Sequence, residues 1–69
     1  MKEIIYVKLV DEGIDVWQPV EAVFINEKTY RILDSDIEEN AQFQNNAVVE
    51  VKDKEFQDGS FGLIAYKSI

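Results

Sequence analysis

The stretch from Ile14 to Leu33 constrains the fold most, because its pattern is typical of two β-strands joined by a tight turn. β-Branched and aromatic residues, which favour a pleated surface, dominate both halves, and the stretch holds the chain's only Trp, Pro and Arg. The turn is predicted at residues 26–28, because none of these three residues is apolar and needs to be buried. Alternate residues of a strand point to opposite faces, and both faces of the first strand would carry apolar residues. We therefore expect a bulge near Pro19 or after Ala22, which would shift this alternation by one residue.

Three further strands are predicted around this hairpin. They span Glu3 to Val10, Ala47 to Phe56 and Phe61 to Tyr66. Turns are expected at residues 11–13, 45–46 and 57–60, and the Asp58-Gly59 pair favours a primed hairpin turn because it accepts positive φ angles.

The longest stretch without strand character runs from Asp34 to Asn46. Asp36 could cap a single helical turn that ends at Glu39 or Asn40, and Phe43 is expected to close one end of the barrel. We therefore predict an all-β fold, a small five-stranded antiparallel SH3-like barrel with at most one short helical turn, in residues 34–40. Closure also removes unpaired strand edges.

A chain of 69 residues has room for one domain, so residues 1–69 are predicted to form a single small barrel. The 46% of hydrophobic residues suffices for its core and disfavours intrinsic disorder. The predicted core residues lie on the more apolar face of their strands, which alternate residues share. They are Val7, Leu9, Val20, Ala22, Ile32, Val49, Val51, Leu63 and Ala65.

Composition argues against several classes of function. The chain has no His and no Cys, so serine residues lack an activating base and transition metals lack their preferred ligands. Its three glycines make no phosphate-binding loop, and a domain this small has little room for a cleft between two carboxylates. We predict that the protein is not an enzyme and has no cofactor.

The net charge of −7, from 14 acidic and 7 basic residues, favours solubility and a basic protein partner. It disfavours nucleic acid, because the basic residues are scattered and phosphate contacts need clustered Lys or Arg. Charges interrupt the N-terminal residues, which therefore resemble neither a signal peptide nor a membrane span. A cytoplasmic location with no membrane partner is expected.

Four carboxylates lie close together between Asp34 and Glu39, and hard cations such as calcium prefer oxygen ligands. The stretch lacks the glycine at the sixth position of an EF-hand loop, and no second helix follows it. A solvated acidic loop is the favoured interpretation, and no metal site is predicted.

Aromatic residues give the candidate binding site. Tyr6, Trp17 and Tyr66 lie on the parity opposite the core face of their strands, and with Pro19 they could form an exposed patch. Asp11, Glu12 and Asp15 would supply a negative rim. The alternative is that these rings cover a barrel end, or that a bulge turns Trp17 inward.

Two resemblances accompany this interpretation. The order of the loops resembles that of SH3-like barrels, although the Ala-Leu-Tyr-Asp-Tyr run and Trp-Trp pair of peptide-binding SH3 domains are absent. A closer resemblance rests on Asp11-Glu12-Gly13, Val16-Trp17-Gln18-Pro19-Val20-Glu21-Ala22 and Tyr30-Arg31-Ile32.

This pattern is similar to that of a family of short uncharacterised bacterial proteins with a Val-Trp-Arg-Pro-Val motif. Gln18 stands where that family often has Arg, and residues 41–46 lack its Trp-Glu-Phe and Pro-Gly. The resemblance implies a bacterial protein with a small barrel and no catalytic residues.

The function predicted from the sequence is a non-catalytic protein-interaction module. The alternative is a small acidic inhibitor or immunity-type protein, which would neutralise a basic enzyme such as a nuclease by presenting residues 34–39 as a phosphate-like surface.

Overall fold

Five strands follow one another around a closed barrel in the computed structural model, which describes residues 2–69. They are β1 (Lys2–Leu9), β2 (Val16–Asn26), β3 (Thr29–Ile32), β4 (Val48–Glu55) and β5 (Phe61–Ser68). The predicted all-β barrel is confirmed, and its arrangement is consistent with the SH3-like class. Residues 34–40 form turns and irregular backbone, within the predicted limit of one helical turn.

Two long hairpins, β1–β2 and β4–β5, make up most of the sheet, and the short β3 bridges them. The barrel closes where β1 and β5 meet in parallel at one register pair, Tyr6 with Ile64. Successive antiparallel strands alternate in direction, so the first and fifth strands run the same way and can only meet in parallel. Ile64 lies within β5, so the β4–β5 turn extends past the point where β1 and β5 meet.

The core consists mainly of aliphatic residues from the inner faces of the strands, with Tyr30 of β3 and Ala41 of the β3–β4 connection. Of the nine predicted core residues, seven are buried, and Leu9 and Leu63 are partly buried against the core. Val51 is 1% exposed, which confirms the strand register predicted for β4. Four buried residues were not predicted: Ile5, Tyr30, Ala41 and Ile64.

The turns fall where they are predicted, but one has a different type. Gly59 has a φ of 88°, whereas Asp58 does not have positive φ, so the predicted primed turn is wrong. The Gly59 N–H donates to the Phe56 carbonyl (2.9 Å) and the Phe56 N–H donates to the Ser60 carbonyl (2.8 Å). These bonds define a three-residue loop whose last residue is left-handed, a position that suits glycine.

The predicted irregularity in β2 lies after Ala22, as a register shift between Phe24 and Asn26. The pairing of β1 with β2 is continuous from Lys2 with Val23 to Leu9 with Val16. No bulge therefore interrupts β2 around Pro19.

The connection from residue 33 to residue 47 crosses one end of the barrel. Phe43 is partly buried there and packs against the core, as expected for a residue that closes the end. Backbone hydrogen bonds tie the connection to the end of β1, including those from the Val10 N–H to the Asn40 carbonyl (2.8 Å) and from the Gln42 N–H to the Lys8 carbonyl (2.8 Å). Nowhere in residues 2–69 is there a helix with the length and apolar character needed to span a membrane.

Candidate partner-binding surface

The β1–β2 register places Trp17 on the outer face of the barrel. Tyr6 lies directly opposite Pro19, and Lys8 lies directly opposite Trp17. Residues opposite each other in an antiparallel pair point to the same face of the sheet. Their neighbours Val7 and Val20 are buried, so these four side chains point away from the core.

Phe56 brings Tyr6 and Trp17 together. Its ring centroid lies 5.0 Å from that of Tyr6, with an interplanar angle of 60°. It lies 6.3 Å from the Trp17 centroid in an edge-on arrangement at 69°. Both geometries are favourable for aromatic pairs. We refer to Tyr6, Trp17 and Phe56 as the aromatic cluster.

A glycine on β5 leaves room for this cluster. A Cβ atom on Gly62 would lie 2.8 Å from Tyr6 Cε1 and 2.9 Å from Phe56 Cε2. Real Cβ atoms essentially never approach other heavy atoms so closely. The two rings therefore lie directly on the strand backbone, where any side chain would displace them.

Two grooves flank the aromatic cluster. The first has a volume of about 350 Å³ and is lined by Tyr6, Trp17, Phe56, Gln57, Asp58 and Ser60. The second has a volume of about 220 Å³ and is lined by Asp15, Trp17, Lys54, Glu55, Phe56 and Gln57. Trp17 and Phe56 form a shared wall, so the cluster is a ridge between two concave surfaces.

Charged groups border both grooves. In the second groove, Lys54 Nζ lies 5.7 Å from the centroid of the Trp17 ring, a cation–π distance. In the first groove, the Asp58 carboxylate accepts hydrogen bonds from the Ser60 hydroxyl (2.7 Å) and the Ser60 N–H (3.0 Å). These bonds lower the pKa of Asp58.

Two of the four predicted contact residues belong to the aromatic cluster, and Pro19 is beside it. Pro19 is exposed, and β3 pairs with β2 only from Ala22 onwards, so the proline lies on a stretch that lacks a third-strand partner. Tyr66 lies elsewhere on β5. Lys52 Nζ is 5.0 Å from its ring centroid, and interaction of its hydroxyl with the Glu50 carboxylate raises the pKa of Tyr66.

The predicted acidic rim is only partly adjacent to the rings. Asp15 lines the second groove with Trp17 and forms an ion pair with Lys8 at 3.3 Å. Glu12 instead accepts a hydrogen bond from Asn40 Nδ2 at 2.7 Å, towards the 33–47 connection. Asp11 is exposed in the β1–β2 turn with a φ of 64°.

The acidic stretch 34–39 has a structural role at its first residue. The Asp34 carboxylate accepts hydrogen bonds from the N–H groups of Glu21 and Asp36, both at 3.0 Å, and these bonds lower the pKa of Asp34. Asp36, Glu38 and Glu39 are exposed. Across residues 2–69, no three acidic side chains are grouped in a way that could hold a metal ion.

Sequence reasoning missed Phe56, Lys54 and Glu55. Phe56 shares the parity of Lys52 and Lys54, so an outward direction could be inferred from the sequence. The stronger signal is Gly62, because a glycine inside a strand often marks a close approach by another group. Nothing in the sequence says that the approaching groups come from β1 and the β4–β5 turn.

Comparison of the chain with protein-family models, with curated protein sequences and with solved structures gives no match. The resemblance to the Val-Trp-Arg-Pro-Val family therefore stays a prediction.

Proposed function

We propose that this chain is a non-catalytic protein-interaction module and that the aromatic cluster, with Pro19, is its binding surface. The observation that carries the proposal is that three aromatic rings meet on the outer face of a barrel whose core is complete without them. Trp and Tyr dominate the energetics of protein interfaces, and apolar patches on a surface mark interaction sites.

The geometry of the cluster supports the proposal. Gly62 seats two of the rings on strand backbone, and Phe56 holds the third, so little conformational freedom would be lost on binding. The grooves on either side of the Trp17–Phe56 wall would accept side chains of a partner segment that crosses the ridge.

Capture from a native cell extract, quantified by mass spectrometry, tests this function. Proteins retained by the unmodified chain should be lost with Trp17→Ala and with Phe56→Ala. Phe61→Ala is the matched control. Phe61 is 73% exposed on the same hairpin, but it pairs with Glu55 and not with Phe56, and it lines neither groove. This control should retain the partner.

Thermal melting of the same variants separates binding from folding. Trp17 is half-buried outside the core, so Trp17→Ala should cost less than the roughly 3–5 kcal/mol of a fully buried large aromatic. Partners that survive both cluster variants but are lost with Glu38→Gln or Glu39→Gln would contradict the proposal. They would favour the acidic inhibitor hypothesis.

A further inference from the structure

The second groove combines an aromatic face with two carboxylates. Asp15 and Glu55 line it together with Trp17, and the single cation that lines it is Lys54. The lining therefore holds two carboxylates and one ammonium, although Lys8, outside the lining, is paired with Asp15 at 3.3 Å; the net charge of the chain is −7. A cationic partner group would be attracted to this site.

Lys54 already occupies the cation position of this groove. Its ammonium lies over the Trp17 ring at 5.7 Å but forms no ion pair with Asp15 or Glu55 within the described residues, where the ion pairs are Lys2–Glu21 and Lys8–Asp15. Displacing this ammonium would break no salt bridge. The Lys54 side chain is flexible, so another cation could replace it.

We propose that the partner inserts an arginine side chain into this groove, where its guanidinium displaces Lys54 from the Trp17 face. The inference rests on the proposed function and names the chemistry that the surface recognises. The guanidinium would stack on Trp17 and donate hydrogen bonds to the Glu55 carboxylate and, in competition with Lys8, to the Asp15 carboxylate.

Arginine fits this groove better than other cations. A planar guanidinium can stack on an aromatic face and donate several hydrogen bonds in its own plane at the same time. A lysine ammonium is a strongly hydrated point charge, and a quaternary ammonium has no hydrogen to donate to the two carboxylates. The site offers one aromatic face and two acceptors, which matches the guanidinium.

Titration with short peptides tests the proposal directly. The probes are a tetra-arginine peptide, the same peptide with citrulline at every arginine, and tetra-lysine, at low salt. Trp17 is the chain's only Trp, so its fluorescence reports on this groove. Tetra-arginine should change the fluorescence and bind more tightly than tetra-lysine, and the neutral citrulline peptide should not bind.

Substitution of Lys54 gives the sharpest result. Lys54→Met removes the competing ammonium and should tighten tetra-arginine binding by roughly two- to five-fold, given the size of an exposed cation–π contact. Lys67→Met makes the same charge change opposite Glu50, near the other end of the β4–β5 hairpin, and should tighten binding less.

The carboxylates are tested in the same way. Glu55→Gln should weaken tetra-arginine binding more than Glu39→Gln, which removes an equal charge from the 33–47 connection. Equal effects of the two variants would mean that binding is general charge attraction, and this would overturn the proposal. Equal binding of the citrulline peptide, or weaker binding by Lys54→Met, would also overturn it.

The same variants separate this inference from the proposed function. If Trp17→Ala abolishes capture of the native partner but tetra-arginine does not bind, the interaction module stands and the arginine assignment is wrong. If Trp17→Ala and Phe56→Ala leave capture unchanged, the proposed surface is wrong and the inference falls with it.

Discussion

The aromatic cluster and the 33–47 connection are held in place by different forces. The connection is fixed by Ala41 and Phe43, which pack in and against the core, and by directed polar bonds. Gln44 Nε2 donates to the carbonyls of Glu38 (3.0 Å), Glu39 (3.3 Å) and Ala41 (3.2 Å). Gln18 bridges the connection to β2, by donating to the Asp36 carbonyl and accepting from the Glu38 N–H. The cluster is fixed by ring contacts around Phe56 and by the space above Gly62.

This difference separates side chains that the fold uses from side chains that it leaves available. A segment outside the strands must satisfy its backbone groups, and for the connection this is done by backbone hydrogen bonds to the end of β1 and by nearby amides and carboxylates. Asp34 is therefore explained by the fold. The rings on the outer face satisfy no backbone group and lie outside the buried core cluster.

The largest effect that tests this comparison is expected from Gly62→Ala. The new methyl group must displace Tyr6 and Phe56, which should cost about 1–3 kcal/mol of unfolding free energy. It should also shift Trp17 fluorescence and reduce partner capture. Urea denaturation and emission spectra check this, and an unchanged spectrum would mean that the ring arrangement does not depend on Gly62.

Asp34→Ala should affect stability but not binding. It removes the acceptor of two backbone N–H groups, and because Asp34 is only half-buried we expect a cost of about 1–2 kcal/mol. The control is Asp36→Ala, since Asp36 is exposed and its bonds to Gln18 and Asp34 use backbone atoms. Loss of capture by folded Asp34→Ala would contradict the division of roles.

A smaller effect is expected from pH. Hydrogen bonds from Glu21 and Asp36 lower the pKa of folded Asp34 below its unfolded value of about 4. A lowered folded pKa contributes stability above the unfolded pKa, and this contribution is lost as the pH falls through the folded pKa. The free energy of unfolding should therefore fall below about pH 4, and it should fall less steeply in Asp34→Ala.

The smallest effect is expected from Tyr66→Phe. Tyr66 contacts Lys52 and Glu50 on the β4–β5 hairpin and lies outside the aromatic cluster, so removing its exposed hydroxyl should leave stability nearly unchanged. Partner capture should be unchanged. A marked loss of capture would extend the binding surface along β5 and restore Tyr66 to the predicted patch.

The sequence predicts what depends on local pattern and misses what depends on crossing strands. Parity alone places Val7, Val20 and Val51 in the core, because alternation along a strand is a local property. For Trp17 the sequence left open an inward turn at a bulge, and only the continuous β1–β2 register places it on the outer face. The contact of Phe56 with Tyr6 depends on how the second hairpin crosses the first, which no local pattern encodes. The acceptor role of Asp34 depends in the same way on the return of the connection towards β2.

The single parallel register pair between β1 and β5 has a consequence for folding kinetics. Hairpins form early because their contacts are local, whereas pairing between the first and last strands must wait for the entropy cost of closing a long loop. Phe56 contacts Tyr6 and Trp17 across the two hairpins that this closure joins, so we expect these ring contacts to form with it. The fluorescence of Trp17 should therefore change with the latest phase of refolding, and a chain that has formed both hairpins but has not closed should lack the binding surface.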